Sequence, residues 1–215
     1  MPVAIVRMVL GPLQNNVYLL ADEESKDAVL IDPSFEPERQ AAEIWQRGWN
    51  LRQIWLTHGH FDHTLGAAGL RKLFTPAPLV GMHPEAQAWA LAYGEKLNFG
   101  YQMTPLPDTD IRFFHGQQLS LNPEADAPIV EVREVPGHSP GSVIFYCAQA
   151  GAAFVGDAIF RESIGRTDLP GGDYPALLAA IRTQIFTLPE DTMLLPGHGP
   201  ASSVGYERAY NPYVS

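Results

Sequence analysis

The segment Thr57-His58-Gly59-His60-Phe61-Asp62-His63-Thr64 constrains this chain more than any other. Three imidazoles and a carboxylate within six residues are nitrogen and oxygen donors suited to zinc. The segment follows an apolar run that reads as a strand and precedes one that reads as a helix, so it occupies a strand-end loop. Gly59 lets the backbone turn tightly between two donors. Adjacent Asp62 and His63 do not readily face one ion from an extended backbone, and four side chains plus a water already fill a site. Two cations are the economical reading. A helix starting near Leu65 would aim its positive end at the site and favour an anion such as metal-bound hydroxide. The competing reading is a solvated loop with chance histidines, and the density of donors argues against it.

A fold that serves such a loop must bring further donors to it from other strand ends. His138 lies in Val135-Pro136-Gly137-His138-Ser139-Pro140-Gly141, just past an apolar strand. Asp157 closes the run Phe154-Val155-Gly156-Asp157, and His198 follows Leu194-Leu195-Pro196-Gly197. Singly, each fits an ordinary turn residue. Together they supply what a second cation would lack, and the two oxygens of Asp157 suit a bridge. Asp32, in Leu30-Ile31-Asp32-Pro33, either orients a ligand histidine from behind or simply forms the turn before Pro33. His83 precedes Pro84 at a helix start and reads as a cap or surface residue. His115-Gly116 reads as a hairpin turn between Phe114 and Leu119. Neither is assigned to the site.

Hydrophobic patterning predicts strands over Ala4–Leu10, Val17–Ala21, Ala28–Ile31, Gln53–Leu56, Leu79–Gly81, Ile111–Phe114, Ile129–Val135, Ser142–Cys147, Ala152–Val155 and Thr192–Leu195. It predicts helices over Pro37–Gly48, Leu65–Phe74, Pro84–Leu97, Pro175–Phe186 and, briefly, Gly205–Tyr210. Pro37 and Pro175 suit first-turn positions and Gly48 a C-terminal stop. Asn98–Asp110, with Pro105 and Pro107, is the longest irregular stretch of the first half. No linker or low-complexity tract divides the 215 residues, and 46% apolar content supports a real core, so the expectation is one domain over 1–215. Intermixed strands and helices suggest sheets covered by helices.

Fourteen basic against 24 acidic residues give a formal charge of −10, a field that repels polyanions. No basic stripe with interleaved aromatics occurs, so no nucleic-acid partner is expected. No stretch approaches the roughly 18 consecutive apolar residues of a membrane span. The N-terminus shows no cleavable leader, and the expected location is cytoplasmic. Cys147 is the single cysteine, which agrees with a reducing compartment. Its apolar neighbours Val143-Ile144-Phe145-Tyr146 mark it as a buried structural thiol.

With His58-Gly59-His60-Phe61-Asp62-His63, His138, Asp157 and His198 in that order, the chain resembles the metallo-β-lactamase-fold hydrolases over nearly its whole length. The resemblance implies an α+β (αβ/βα) four-layer sandwich, two mixed β-sheets flanked by helices, with two divalent cations at one edge. It implies one ion held by His58, His60 and His138, and a second by Asp62, His63 and His198, with Asp157 and a hydroxide between. Gly156-Asp157-Ala158-Ile159-Phe160, Ser163 to Asp173 and Gly205-Tyr206-Glu207-Arg208 are similar to the compact bacterial hydroxyacylglutathione hydrolases, the type II glyoxalases. That family cleaves S-lactoylglutathione to lactate and glutathione, in detoxification of methylglyoxal. Its full-size members add a C-terminal helical domain with glutathione contacts, and no such added domain is expected here after His198. Arg166 matches a family basic residue, whereas Asp168 stands where the family has a tyrosine.

The donors themselves are also compatible with thioester hydrolysis. Two cations bring a bridging water toward a pKa of about 7. A thiol of pKa about 8.5 departs without protonation, so no general acid is needed. Asp62 is the candidate to orient the hydroxide, besides its place among the ligands. Arg161 and Arg166 are the candidates to meet the carboxylates of a small-molecule glutathione thioester. No obligate protein partner is implied. Zinc is favoured by the donor set, which also accepts iron or manganese. The alternatives are a mononuclear-iron persulfide dioxygenase of the same superfamily, which leaves several donors idle, and a non-catalytic metal-bound scaffold.

Overall fold

A computed structural model describes residues 2–214. In chain order the first half comprises β1 (Val3–Leu10), β2 (Asn15–Asp22), β3 (Asp27–Ile31), α1 (Pro37–Gln46), β4 (Asn50–Trp55), α2 (Phe61–Thr64), α3 (Ala67–Leu73), β5 (Leu79–Met82), α4 (Pro84–Tyr93) and β6 (Ile111–Arg112). The second half comprises β7 (Gln118–Leu119), β8 (Val130–Glu134), β9 (Val143–Cys147), β10 (Ala152–Gly156), β11 (Ile159–Phe160), β12 (Ser163–Ile164), α5 (Tyr174–Ala180), β13 (Met193–Pro196), β14 (Ser202–Ser203) and α6 (Val204–Tyr210). Beyond α5 the helix widens into a π-turn over Ile181–Ile185.

Two mixed sheets result, β1-β2-β3-β4-β5-β6 and β14-β13-β10-β9-β8-β7, with β11 and β12 as a separate hairpin. Alternation along each central strand shows how they stack. In β2, Val17, Leu19 and Ala21 face an outer core shared with Ala41, Ile44 and Leu70 of α1 and α3. Tyr18 and Leu20 face the other way, onto Phe145 and Phe154 of the second sheet. In β10, Ala152 and Phe154 join that inter-sheet core, whereas Ala153 and Val155 pack against Leu177 and Ile181. Helix, sheet, sheet and helix therefore form four layers, which is the expected architecture. Cys147 is buried in the central layer, where desolvation pushes its thiol up. No helix is long and apolar enough to cross a membrane.

Local chemistry explains the boundaries. Gly48, at φ 67°, ends α1 through Gly48 N–H to Trp45 O (3.0 Å) and Trp49 N–H to Ile44 O (3.2 Å). Helix α4 stops at Tyr93, four residues short of expectation, because Gly94 follows and Lys96 and Leu97 both turn back to the Tyr93 carbonyl. The helix expected from Leu65 begins earlier, at Phe61, and is broken at Gly66, whose N–H turns to Pro33 O (3.0 Å). His115-Gly116 is not a hairpin turn but the crossover between the sheets, since β6 belongs to the first and β7 to the second. Phe113 drives that crossing: its ring is buried between Trp55 (6.3 Å) and Phe145 (5.3 Å). His83 caps α4, accepting from Glu85 N–H at 3.2 Å.

Candidate metal centre

The C-terminal ends of β3, β4, β10 and β13 and the start of β2 converge at one edge of the sandwich. From β4 the chain runs through His58 and His60 into α2, so Asp62 and His63 lie in the first turn of a helix rather than in a loop. The helical start expected at Leu65 is therefore corrected: Asp62 and His63 themselves form that turn. Gly59 has no positive φ; it is needed because a Cβ there would stand 2.6 Å from Ala86 O of α4. His138 arrives past β8, Asp157 at the end of β10, and His198 past β13. The strand ends are tied by Gly197 N–H to Gly156 O (2.8 Å) and Asn16 N–H to Gly197 O (2.7 Å).

All seven expected donors meet here, and they divide into two groups. Nε2 of His58 and Nε2 of His138 stand 3.0 and 2.8 Å from Nδ1 of His60. Asp62, His63 and His198 form the second group, with His198 Nε2 at 3.2 Å and His63 Nε2 at 3.5 Å from Asp62 Oδ2. Asp157 lies between them: Oδ1 is 3.4 Å from His63 Nε2, and Oδ2 is 3.7 and 3.8 Å from Nε2 of His198 and His138.

Behind the cage, four of the five rings are held by their far nitrogens. His63 Nδ1 donates to Asp32 Oδ2 at 2.9 Å, His138 Nδ1 to the Arg166 carbonyl at 2.8 Å, and His198 Nδ1 to the Leu13 carbonyl at 3.1 Å. Thr57 Oγ1 donates to Asp32 Oδ2 (2.6 Å) and therefore accepts from His58 Nδ1 (2.9 Å). Fixing the proton on Nδ1 leaves the Nε2 lone pair facing inward, as a metal ligand requires. His60 instead turns Nδ1 inward, its ring edge-on to Trp89 with 4.7 Å between centroids.

The arrangement fits divalent cations on its own chemistry. His63 Nε2 and Asp157 Oδ1 are buried without hydrogen-bond partners, a costly state that a shared cation would relieve. Three crowded imidazole nitrogens likewise cannot satisfy one another. Burial, reinforced by His63, holds the His58 imidazole well below its usual range; burial and His138 take His60 down to about 3. Burial also lowers His138. His63 behaves oppositely: burial would lower it, but Asp157 and Asp62 raise it well above normal. Burial pushes Asp62 up, yet His63, His198 and Asn15 outweigh it and bring the carboxyl to about 2. The three histidines of the first group are thus held neutral, their inward lone pairs free for a cation.

A cavity of about 630 Å³ opens onto the cage, with Leu13, Phe61, Phe99, Phe160, Ile164 and Leu169 among its apolar walls. Arg166 reaches it, but its Nε and Nη2 clamp Asp168 at 2.6 and 2.8 Å. Arg161 is absent from the wall; its guanidinium lies 4.9 Å over the Tyr206 ring. Asn15, buried at the start of β2, donates to Asp62 Oδ2 at 2.8 Å. Sequence reasoning missed Asn15 and the Arg166 carbonyl. The polar pair Asn15-Asn16 opening an apolar strand was the available signal for the first.

The profile of the metallo-β-lactamase superfamily matches residues 10–198. The chain belongs to the metallo-β-lactamase superfamily. Within this superfamily of metallo-hydrolases, the hydroxyacylglutathione hydrolase GloC of Haemophilus influenzae is 34% identical, over 94% of this chain and 93% of its own. The crystal structure of the B3 metallo-β-lactamase BLEG-1 superposes with a TM-score of 0.89 at 33% identity, covering 99% of this chain and all 100% of that one. TTHA1623, solved in a di-iron-bound form, gives 0.84 at 35% identity over 97% of this chain and 99% of its own.

Proposed function

We propose that this metallo-β-lactamase-superfamily chain hydrolyses glutathione thioesters, releasing glutathione and a carboxylic acid, with S-lactoylglutathione as the reference substrate. The observation that carries the reading is the cage itself: inward-facing ring nitrogens, four of the five rings fixed through their far nitrogens, around a carboxylate placed between two donor groups. The similarity to GloC supports the thioester.

In this reading His58, His60 and His138 hold one divalent cation, Asp62, His63 and His198 hold the other, and Asp157 lies between both. Zinc suits the donors best, with iron or manganese as the other metals they accept. When bound, the pair supplies a nucleophilic hydroxide at neutral pH and polarises the scissile carbonyl. The chain's own part is positional. Asn15 donates to Asp62 Oδ2, the oxygen that faces His198 and His63, and so fixes that carboxylate in the cage. Asp32 sets His63 directly and His58 through Thr57. The apolar cavity walls exclude bulk water from the reacting carbonyl, which strengthens every charge interaction inside. No general acid is needed, since a thiolate of pKa about 8.5 leaves unprotonated. Arg166, at the rim, is the residue proposed to meet a glutathione carboxylate.

The test is metal analysis of the purified protein together with thiol release from S-lactoylglutathione, before chelation, after it and after zinc is returned. Loss and recovery of thiol release are expected. A fully loaded protein that releases no thiol overturns the reading. The BLEG-1 similarity favours β-lactam opening as a second reading, and a chromogenic cephalosporin in the same experiment separates the two.

A further inference from the structure

We infer that the cavity wall beside His198 is an acyl subsite, and that the thioesters taken best carry an unbranched apolar acyl group larger than lactoyl. The inference rests on the thioester reading above and deepens it. The two poles of the cage differ in what surrounds them. At the His138 pole the neighbouring segment is Arg166, whose carbonyl holds the ring and whose side chain brings the single guanidinium in the cavity lining among the described residues. That Arg166–Asp168 pair is open to solvent, its side chains 53% and 67% exposed.

At the His198 pole the chemistry is apolar. Leu13, whose carbonyl holds His198 Nδ1, lines the cavity with its side chain. Phe160 faces the same ring at 6.3 Å. Phe61 and Phe99, 6.3 Å apart, line the same cavity. Leu13 is 38% and Phe99 65% exposed, so apolar surface in a concave wall stands in contact with water, where a ligand group would cover it.

A glutathione thioester has two unlike halves on either side of its carbonyl. The tripeptide carries amides and carboxylates, whose burial against Leu13 and Phe160 would cost hydration without return. Its place is the solvated rim at Arg166 and Asp168. The acyl group then points to Leu13 and Phe160, with the carbonyl between. Water adds to the acyl carbon and loses a proton to solvent, the C–S bond breaks, and thiolate leaves toward the rim while the acyl group is released as its carboxylic acid. A hydrocarbon tail fits this wall better than a hydroxylated one.

The experiment is hydrolysis by the metal-loaded enzyme of acetyl-, butyryl-, hexanoyl- and lactoylglutathione, with S-alkylglutathiones of matching length as non-hydrolysable competitors. The expected result is kcat/KM rising about fourfold per methylene group, from roughly 0.8 kcal/mol for each buried CH₂, and inhibition constants falling in parallel. Phe160→Ala flattens both series. A series independent of length, or lactoyl preferred over butyryl, overturns the subsite while leaving the thioester reading intact. Failure of every thioester to be hydrolysed overturns both.

Discussion

Asp32 Oδ2 lies 2.9 Å from Nδ1 of His63, and the same carboxylate takes both the hydroxyl and the N–H of Thr57. Since Thr57 in turn accepts from His58, one acidic side chain sets two rings that belong to different donor groups. Its backbone sits at φ 52°, a region that asparagine tolerates as well as aspartate does. Asp32→Asn therefore keeps the backbone while removing the charge, and it presents either an oxygen or an NH₂ to His63 but not both acceptor sites. The expected outcome is a metal affinity about 10–100-fold weaker, read by competition with a coloured chelator. Undiminished affinity would make Asp32 a turn former only.

Removing the cations should destabilise the fold, because buried Asp62 and His63 crowd against Asp157, whose Oδ1 is buried without a hydrogen-bond partner. A ligand present at 1,000 times its dissociation constant stabilises by about 4 kcal/mol. For a chain of this size that corresponds to a Tm shift of roughly 8–16 °C. Calorimetry before and after chelation, with zinc restored at the end, measures it; a Tm indifferent to metal would remove the cations from the folded-state balance.

The cage was legible because its core is local: His58, His60, Asp62 and His63 fall within six residues, and the remaining donors each follow an apolar strand. The central strands were legible for the same reason, since Val17–Ala21 and Ala152–Val155 are buried on both faces and read as continuous apolar runs. What stayed hidden is long-range or carried by backbone. Asn15 meets Asp62 across 47 residues. The Arg166 carbonyl orients His138 without any side-chain signature. The hairpin of β11 and β12 is two residues per strand, too short for periodicity to register. Arg161 looked like a substrate contact by its nearness to Asp157, yet the turn of that hairpin carries it onto Tyr206.

Gly197 is a second point where the cage depends on what is missing. A Cβ there would run into Asp157 Oδ1 and the His63 ring at once. Gly197→Ala should push the carboxylate and the ring apart by several tenths of an ångström. A misplacement approaching 1 Å costs about 10²-fold in activity, while the three-histidine group, which Gly197 does not touch, keeps its geometry. Metal analysis is thus expected to show about one ion lost per chain, with far-UV dichroism unchanged. Two ions retained with full activity would show that the cage has slack.

Glu207 is the least expected carboxylate in the molecule: it is fully buried on α6, held by hydrogen bonds rather than by an ion pair at contact distance among the described residues. Its Oε2 accepts from Glu162 N–H (2.9 Å) and Asn211 Nδ2 (2.8 Å), and its Oε1 from the Ser202 hydroxyl. Asn211 also donates to Ser163 O at 3.0 Å. Together these bonds fasten α6 to the β11–β12 hairpin, which carries Phe160, Ser163 and Ile164 into the cavity wall. Hydrogen bonds to a charged group contribute about 1.5–3 kcal/mol each, and Glu207→Ala removes three of them, leaving the Glu162 N–H and the Ser202 hydroxyl without this acceptor while Asn211 keeps Ser163 O. Reorganisation recovers part of that, so the expected loss is about 3 kcal/mol, a Tm lower by roughly 6–12 °C. Because the wall loosens while the cage does not, KM for a thioester should rise severalfold with metal content unchanged. Glu207→Gln, which keeps the shape and one acceptor oxygen, should recover part of both. If KM stays constant while Tm falls, Glu207 fastens α6 without shaping the cavity.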